Sequence, residues 1–171
     1  MKITLNIMLD AVKGNKPITG SIETSNKISQ ISIFNPSKTD LVKDCLYVIN
    51  LSDLIKFNPN QSNCYFIAVQ DDFAPELKSI SLNEYYNTIF IEEKTNIINV
   101  FDLLQTRFNA IYNWCEEMDN CLIRKKSIQD VLCLSEKIIG NFITITDSSF
   151  SLVAYTNGLE CKCPQTNDLI K

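Results

Sequence analysis

The sequence predicts an α/β protein in which a small, mostly parallel sheet with short helices is followed by a long helical connector and a C-terminal β-hairpin. Three short apolar runs, residues 46–51, 64–69 and 88–91, are separated by mixed segments, as in buried parallel strands joined by crossovers. Apolar residues then recur at three-then-four spacing from residue 101 to residue 122, which is typical of a helical seam. Finally, apolar and polar residues alternate over 142–146 before a turn at 147–149 and a second apolar run, which predicts a hairpin.

Composition narrows the chemistry that this chain can perform. The chain has 171 residues, a net charge of −4 and no histidine, so Ser-His-Asp and Cys-His arrangements and imidazole zinc sites are excluded. An acidic chain is poorly suited to binding a nucleic-acid backbone, and no apolar run approaches the roughly 20 residues of a membrane span. Seven cysteines without a secretory signal indicate a reducing compartment. We therefore expect a cytoplasmic protein with no catalytic residues, no metal, no cofactor and no membrane contact.

The first predicted domain, residues 1–95, carries the sheet. Thr4 is placed to cap a short helix with Ile7, Met8, Ala11 and Val12 on its buried face, and Gly14 and Pro17 end it. Strands are predicted at 18–22 and 28–34, before the buried runs at 46–51, 64–69 and 88–91, and a loop is predicted at 59–63. Ser52 and Asp53 are expected to cap a helix of one or two turns after the strand at 46–51.

Acidic and hydroxyl side chains follow the three buried strands. Because ligands gather beyond the carboxyl ends of parallel strands, these residues predict a site for a cation, an amine or a polyhydroxy compound. The alternative is that they only cap helices and solvate the strand ends. The candidate ligand-binding residues are Ser52, Asp53, Asp71, Asp72 and Glu92.

The second predicted segment, residues 96–140, is a helical connector that begins at Thr95 or Asn96. We expect its seam to form a coiled coil between two copies of the chain through Phe108, Ile111, Cys115, Met118 and Leu122. The apolar stripe changes phase after Lys126. Either a second helix starts at Ser127, with Asp130 completing a capping box, or one long helix changes its winding there. Gly140 ends the segment.

The third predicted segment, residues 141–171, opens with the hairpin. Residues 128–156, with Gly140-Asn141, Asp147-Ser148-Ser149 and Ala154-Tyr155, resemble the helix and hairpin that open the GAF- or PAS-like sensor domain of the PucR-like (purine catabolism regulator, CdaR-like) family. Residues 3–51 resemble the N-terminal α/β domain of that family. The resemblance implies a transcriptional regulator that reads DNA through a C-terminal helix-turn-helix, which this chain does not contain. The sensor domain is then only begun here.

Three functions follow from these observations. The leading hypothesis is a cytoplasmic, non-enzymatic sensory portion of a transcriptional regulator, a homodimer that binds a small-molecule effector and takes part in signal transduction. The second is a small-molecule enzyme that uses carboxylates at the strand ends, such as Asp53, Asp71 and Glu92. The third is a purely structural dimerisation module without a ligand.

Overall fold

The structure, a computed structural model, describes residues 2–15, 17–19, 22–23, 25–37, 40–57 and 64–158. The chain divides into two compact units, residues 1–108 and 109–171, and each is described by itself. The predicted fold class is confirmed, while the predicted domain boundaries at 95/96 and 140/141 stay predictions. The predicted loop at 59–63 and the residues from 159 onward lie outside the described part of the chain. Within that part, no helix is both long enough and apolar enough to cross a bilayer.

The first unit is built around a five-stranded sheet. Its elements are β1 (Ile3–Thr4), α1 (Leu5–Leu9), β2 (Pro17–Thr19), β3 (Lys27–Ile28), β4 (Gln30–Ile33), β5 (Cys45–Asn50), α2 (Leu51–Phe57), β6 (Tyr65–Val69) and β7 (Thr88–Ile91). The strands of the sheet lie in the order β2-β7-β6-β5-β4, with β4 to β7 parallel and β2 antiparallel to β7. Strands β1 and β3 form a separate two-stranded antiparallel sheet. Two 3₁₀ turns, Leu77–Ser79 and Leu82–Glu84, connect β6 to β7.

The central strands are buried on both faces, as their continuous apolar sequences predict. Tyr47, Phe66 and Phe90 belong to one core cluster that also includes residues of α2 and of the 3₁₀ turns. By strand alternation, Val48, Ile67 and Ile89 face the opposite side, and all three are fully buried. Further buried apolar residues outside the core cluster lie in α1 and near the start of the long helix: Leu5, Met8, Leu9, Val100 and Leu104.

Three details of the first unit differ from the sequence predictions. The strand predicted at 28–34 is two strands, because the chain bends at Ser29, whose N–H donates to the carbonyl of Asp44, and β3 and β4 pair with different partners. Thr4 makes no side-chain capping bond, and α1 follows β1 directly. The buried residues of α1 are Leu5, Met8 and Leu9. Met8 and Val12 are fully buried as predicted, whereas Ile7 is 39% exposed.

The connector forms two helices, α3 (Ile97–Ile123) and α4 (Ile128–Ile139), so the first of the two alternatives is correct. Asn96 caps α3, since its Oδ1 accepts the N–H of Ile98 at 2.8 Å. Helix α3 ends in a Schellman pattern: Lys125 has φ +51°, and the N–H of Lys126 donates to the carbonyl of Cys121. Ser127 and Asp130 then form a capping box that starts α4.

The second unit contains the end of α3, helix α4 and a hairpin of β8 (Thr144–Thr146) and β9 (Leu152–Tyr155). Gly140 ends α4 in the left-handed conformation with φ +65°, as predicted. The second hairpin strand starts at Leu152 rather than at residue 150. Phe150 has φ +61°, and Asp147 Oδ1 accepts the N–H groups of Ser149 and Ser151, so the turn is longer than the sequence predicts.

Candidate functional site at the carboxyl edge of the sheet

The carboxyl ends of β5, β6 and β7 bring polar residues to one edge of the sheet. Asn50 is paired with Val69, and Val69 with Ile91, so the residues that follow these strands leave the sheet at the same level. Those residues are Gln70 to Asp72 after β6 and Glu92 to Lys94 after β7. The arrangement is the one expected of a ligand site in a parallel sheet.

Asp71 serves as a structural cap rather than as a free carboxylate. Its Oδ2 accepts the N–H of Ser52 at 2.9 Å, and its Oδ1 accepts the N–H of Phe73 at 2.9 Å. Ser52 lies in the first turn of α2, which begins at Leu51 immediately after β5. The prediction that Ser52 and Asp53 cap this helix is therefore wrong, because the helix starts one residue earlier and the capping carboxylate comes from the loop after β6.

Two ion pairs cross the same edge. Lys94 Nζ lies 2.8 Å from Asp72 Oδ1, and Lys78 Nζ lies 3.9 Å from Glu92 Oε1. The hydrogen bond between Asp72 and Lys94 lowers the pKa of the carboxyl and raises the pKa of the ammonium. Both side chains are largely exposed, so solvent screens this pair and it exchanges partners at little cost.

Gln70 is the buried polar residue of the edge, with 6% of its surface exposed. Its Nε2 donates to the carbonyls of Asp71, Ala74 and Pro75 at 3.2, 3.5 and 3.1 Å. Three carbonyl oxygens at one end of the amide fix that end as the NH₂ group. No described residue donates to the opposite atom, Oε1, which is shielded from solvent. Leaving a buried acceptor unpaired costs about 1–3 kcal/mol, so this oxygen favours any donor that reaches it.

Two cavities open at this edge, and Gln70 and Lys94 line both. The first, of about 260 Å³, is bounded by these residues together with Glu76, Leu77, Lys78 and Glu92. The second, of about 380 Å³, adds Asn50, Asp71, Asp72, Phe73, Thr95 and Asn96. Phe73 is 91% exposed at its rim. Asn96 is also the residue that caps α3, so the second cavity reaches the start of the long helix.

The five predicted ligand-binding residues are only partly brought together. Asp71 and Asp72 line the larger cavity, Glu92 lines the smaller one, and Ser52 contributes a backbone N–H to Asp71. Asp53 lines neither of these two cavities. Sequence reasoning missed Gln70, Lys94, Asn50 and Asn96. The sequence did contain a signal for Gln70. It is an uncharged polar residue directly after a fully apolar strand, and such a residue is expected at the end of that strand, under the loop that follows.

The five predicted dimerisation residues differ in exposure. Ile111 is 4% exposed and so is already buried within the chain, whereas Leu122 is 72% exposed. Phe108, Cys115 and Met118 are half-buried, and Phe108 belongs to the first unit. In the second unit, Ser135 Oγ lies 3.9 Å from Met118 Sδ and accepts the indole N–H of Trp114 at 3.2 Å. The dimer through these residues stays a prediction.

Comparisons with protein families, with curated proteins and with solved structures find no match for this chain. Within the described ranges, no group of three or more Cys, Asp or Glu side chains is placed to hold a metal ion.

Proposed function

We propose that this chain is a non-enzymatic sensory module of a transcriptional regulator, in which a small-molecule effector binds at the carboxyl edge of the sheet. One observation carries the proposal. The larger cavity is lined by Thr95 and Asn96, and Asn96 caps α3, which begins in the first unit and ends in the second. A ligand that contacts these residues acts on the first turn of the helix that contains the boundary between the two units.

The carboxylates at the edge favour a binding role over catalysis. Asp71 is held by two backbone N–H groups, and Asp72 and Glu92 face lysines. General acid-base catalysis instead needs a carboxyl group whose pKa is tuned toward neutrality and which is free to exchange a proton. The pKa of Asp72 is shifted the other way, below its ordinary value.

The transcriptional role derives from the resemblance to PucR-like regulators at residues 3–51 and 128–156. In this proposal the protein is cytoplasmic and forms a homodimer through Phe108, Ile111, Cys115, Met118 and Leu122, and DNA is bound by a helix-turn-helix outside this chain. Effector binding shifts the balance between two arrangements of the helices in the dimer, which requires the ligand to bind one arrangement more tightly.

Dimerisation is tested by crosslinking the full chain through Cys115 and Cys121. A background with Cys133→Ser, Cys161→Ser and Cys163→Ser removes the competing thiols other than the buried Cys45 and Cys64. A variant that also carries Cys115→Ser and Cys121→Ser is the matched control. We expect a short bis-maleimide to give a covalent dimer in the first protein and none in the second. A monomer in solution at micromolar concentrations, with equal crosslinking in both proteins, contradicts the dimer.

Effector binding is tested by thermal-shift screening of the same chain against amines, amino acids and purines. We expect at least one compound to raise the melting temperature further as its concentration increases, because binding to the native state stabilises it by mass action. Turnover of any stabilising compound would support the enzyme hypothesis instead. A dimer that no compound stabilises would support the structural one.

A further inference from the structure

We propose that two copies of this chain pair through the outer edge of β4, so that the five-stranded sheets of both first units join into one continuous sheet. The two β4 strands lie antiparallel about a two-fold axis at Ser32. This interface goes beyond the sensory function, and none of its residues belongs to the helical seam predicted for dimerisation.

Strand β4 is the outermost strand on one side of the sheet. It pairs with β5, and no strand in the described part of the chain pairs with its other side. The N–H of Phe34 donates to the carbonyl of Val48 on β5, and the backbone groups of successive residues point to alternate sides of a strand. Ser32 therefore also faces β5, while the N–H and carbonyl groups of Ile31 and Ile33 point outward. The Ile33 carbonyl accepts the Ser32 hydroxyl at 3.3 Å, which leaves its second lone pair available.

The two edges of this sheet differ in their protection against pairing. Exposed edges are commonly shielded by charged side chains, by proline or by a bulge. At the opposite edge, β2 begins with Pro17, which has no N–H to donate. The sequence of β4, Gln-Ile-Ser-Ile, contains neither a charged residue nor a proline, and its register with β5 is continuous. The outer edge of β4 is therefore open to pairing with another strand.

The sequence of β4 indicates that the added strand is a second copy of β4. Ile31 and Ile33 are placed symmetrically about Ser32, so an antiparallel pair centred on Ser32 sets each Ile31 opposite the partner's Ile33. The outward N–H groups, two from each copy, then meet the outward carbonyls in the hydrogen-bonded pairs of an antiparallel ladder. The two isoleucines also pack against each other across the strands, and no like charges are opposed. Because Ile33 is 38% exposed in the single chain, this pairing covers apolar surface.

A cavity of about 290 Å³ lies along the same strand. It is lined by all four residues of β4 and, from the loop before β5, by Asp40, Leu41 and Val42. Val42 is 53% exposed, and its N–H donates to the hydroxyl of Tyr47 at 2.9 Å, which holds this loop on the sheet. The cavity therefore leaves space beside β4 for side chains of the added strand.

Disulfide trapping of the full chain tests the position of the two-fold axis. In an antiparallel pair centred on Ser32, the two Cα atoms of this residue lie about 4.5 Å apart, within the range that a disulfide spans. Ser32→Cys should therefore give a covalent dimer on oxidation with diamide. Gln30→Cys is the matched control, because its two copies lie about 14 Å apart in this register and should not be joined. In both proteins, five other cysteines are replaced by serine: Cys115, Cys121, Cys133, Cys161 and Cys163.

Sedimentation equilibrium of the full chain at about 100 μM tests the same edge without a crosslink, at a concentration suited to a small interface. Ile33→Lys places a charge on the exposed strand and should lower the weight-average mass about twofold relative to the unmutated chain. Ile7→Lys is the matched control, because Ile7 lies in α1 and is 39% exposed, almost as Ile33 is. The control should keep the mass of the unmutated chain.

Three outcomes would overturn the proposal. Equal trapping of Ser32→Cys and Gln30→Cys would exclude the register, and an unchanged mass in Ile33→Lys would exclude the edge. No trapping at either position would leave the edge of β4 to a strand from another protein. The helical seam is tested separately through Cys115 and Cys121 in chains with an unmutated β4, so the failure of one interface is distinguishable from the failure of the other.

Discussion

Different kinds of interaction stabilise the interior of each of the two units of this protein. In the first unit, β5, β6 and β7 bury nearly every side chain, and a cluster of buried side chains joins the sheet to α2. Among the described apolar residues of the second unit, only Ile111, Leu132 and Ala154 are buried. There, specific polar bonds tie the elements together: the Gln129 side chain both donates to the carbonyl and accepts from the N–H of Tyr155. Buried apolar surface stabilises the first unit, and side-chain to backbone hydrogen bonds define the second.

This contrast implies that the two units respond to different perturbations. Trp114, the single tryptophan of the chain, lies in the second unit and donates to Ser135, so its fluorescence reports on that unit. Far-UV circular dichroism follows the whole chain. A substitution in the first unit should therefore change the circular dichroism transition and leave the Trp114 fluorescence transition in place. A change in the fluorescence transition would contradict the separate stabilisation of the two units.

The largest effect is expected from Phe66→Ala in the first unit. Phe66 is fully buried and stacks on Tyr47 with ring centroids 5.8 Å apart. Removing a buried phenyl ring costs about 3–5 kcal/mol, so the urea midpoint of the circular dichroism transition should fall strongly. The Trp114 fluorescence midpoint should stay within error of the unmutated chain. A parallel fall in both midpoints would show that the units unfold as one.

A smaller effect is expected from alkaline pH. Burial raises the pKa of the Cys45 thiol from 9.0 to about 11, and burial also raises the pKa values of Tyr47 and Tyr85. Stability from the neutral thiol is complete below pH 9 and is lost as the pH rises through 11. The thiol alone removes about 2 kcal/mol of unfolding free energy by pH 11.

Urea denaturation of the first unit across this range measures the loss. Cys45→Ala should flatten the decline between pH 9 and 11, whereas Cys133→Ala, at an exposed position, should leave it unchanged. An equally steep decline in Cys45→Ala would exclude the thiol as its cause.

Gln129→Glu should destabilise the second unit by about 1–3 kcal/mol. The carboxylate still accepts the N–H of Tyr155, but it cannot donate to the Tyr155 carbonyl, which now faces a negative charge. The fluorescence midpoint should fall while the first unit is unaffected. Gln129→Met, which removes both bonds at similar volume, is the comparison: a Gln129→Met chain as stable as the unmutated one would show that neither hydrogen bond to Tyr155 stabilises the unit.

The smallest effect, of opposite sign, is expected from Lys125→Gly. Lys125 adopts φ +51° at the end of α3, a conformation that glycine adopts without the steric cost of a Cβ. The substitution should stabilise the second unit by about 0.5–1 kcal/mol. Lys126→Gly, at the next position, should not stabilise. A gain in both variants would point to the removed charge rather than to the backbone.

The sequence predicted most of the fold because the central elements follow local patterns. The continuous apolar runs located β5, β6 and β7 within a residue or two. The phase change after Lys126, with Ser127 and Asp130, marked the junction of α3 and α4 although both alternatives stayed open. The errors at Ser29 and Phe150 arose where backbone conformation departs from the side-chain pattern: a bend in one case and a positive φ in the other.

By itself the sequence determined which strands are buried, that the helical segment ends at Gly140, and that acidic residues follow the strands. These are local properties, fixed by apolar runs, capping residues and the conformational freedom of Gly140. The tertiary structure decided which polar residues at the edge of the sheet are engaged in hydrogen bonds or ion pairs with other parts of the chain. Only the parallel register of β5, β6 and β7 brings Asp71 onto the first turn of α2, pairs Asp72 with Lys94 and buries Gln70 between two cavities. Those contacts join residues about 20 positions apart, and their partners depend on strand order, which no local pattern specifies.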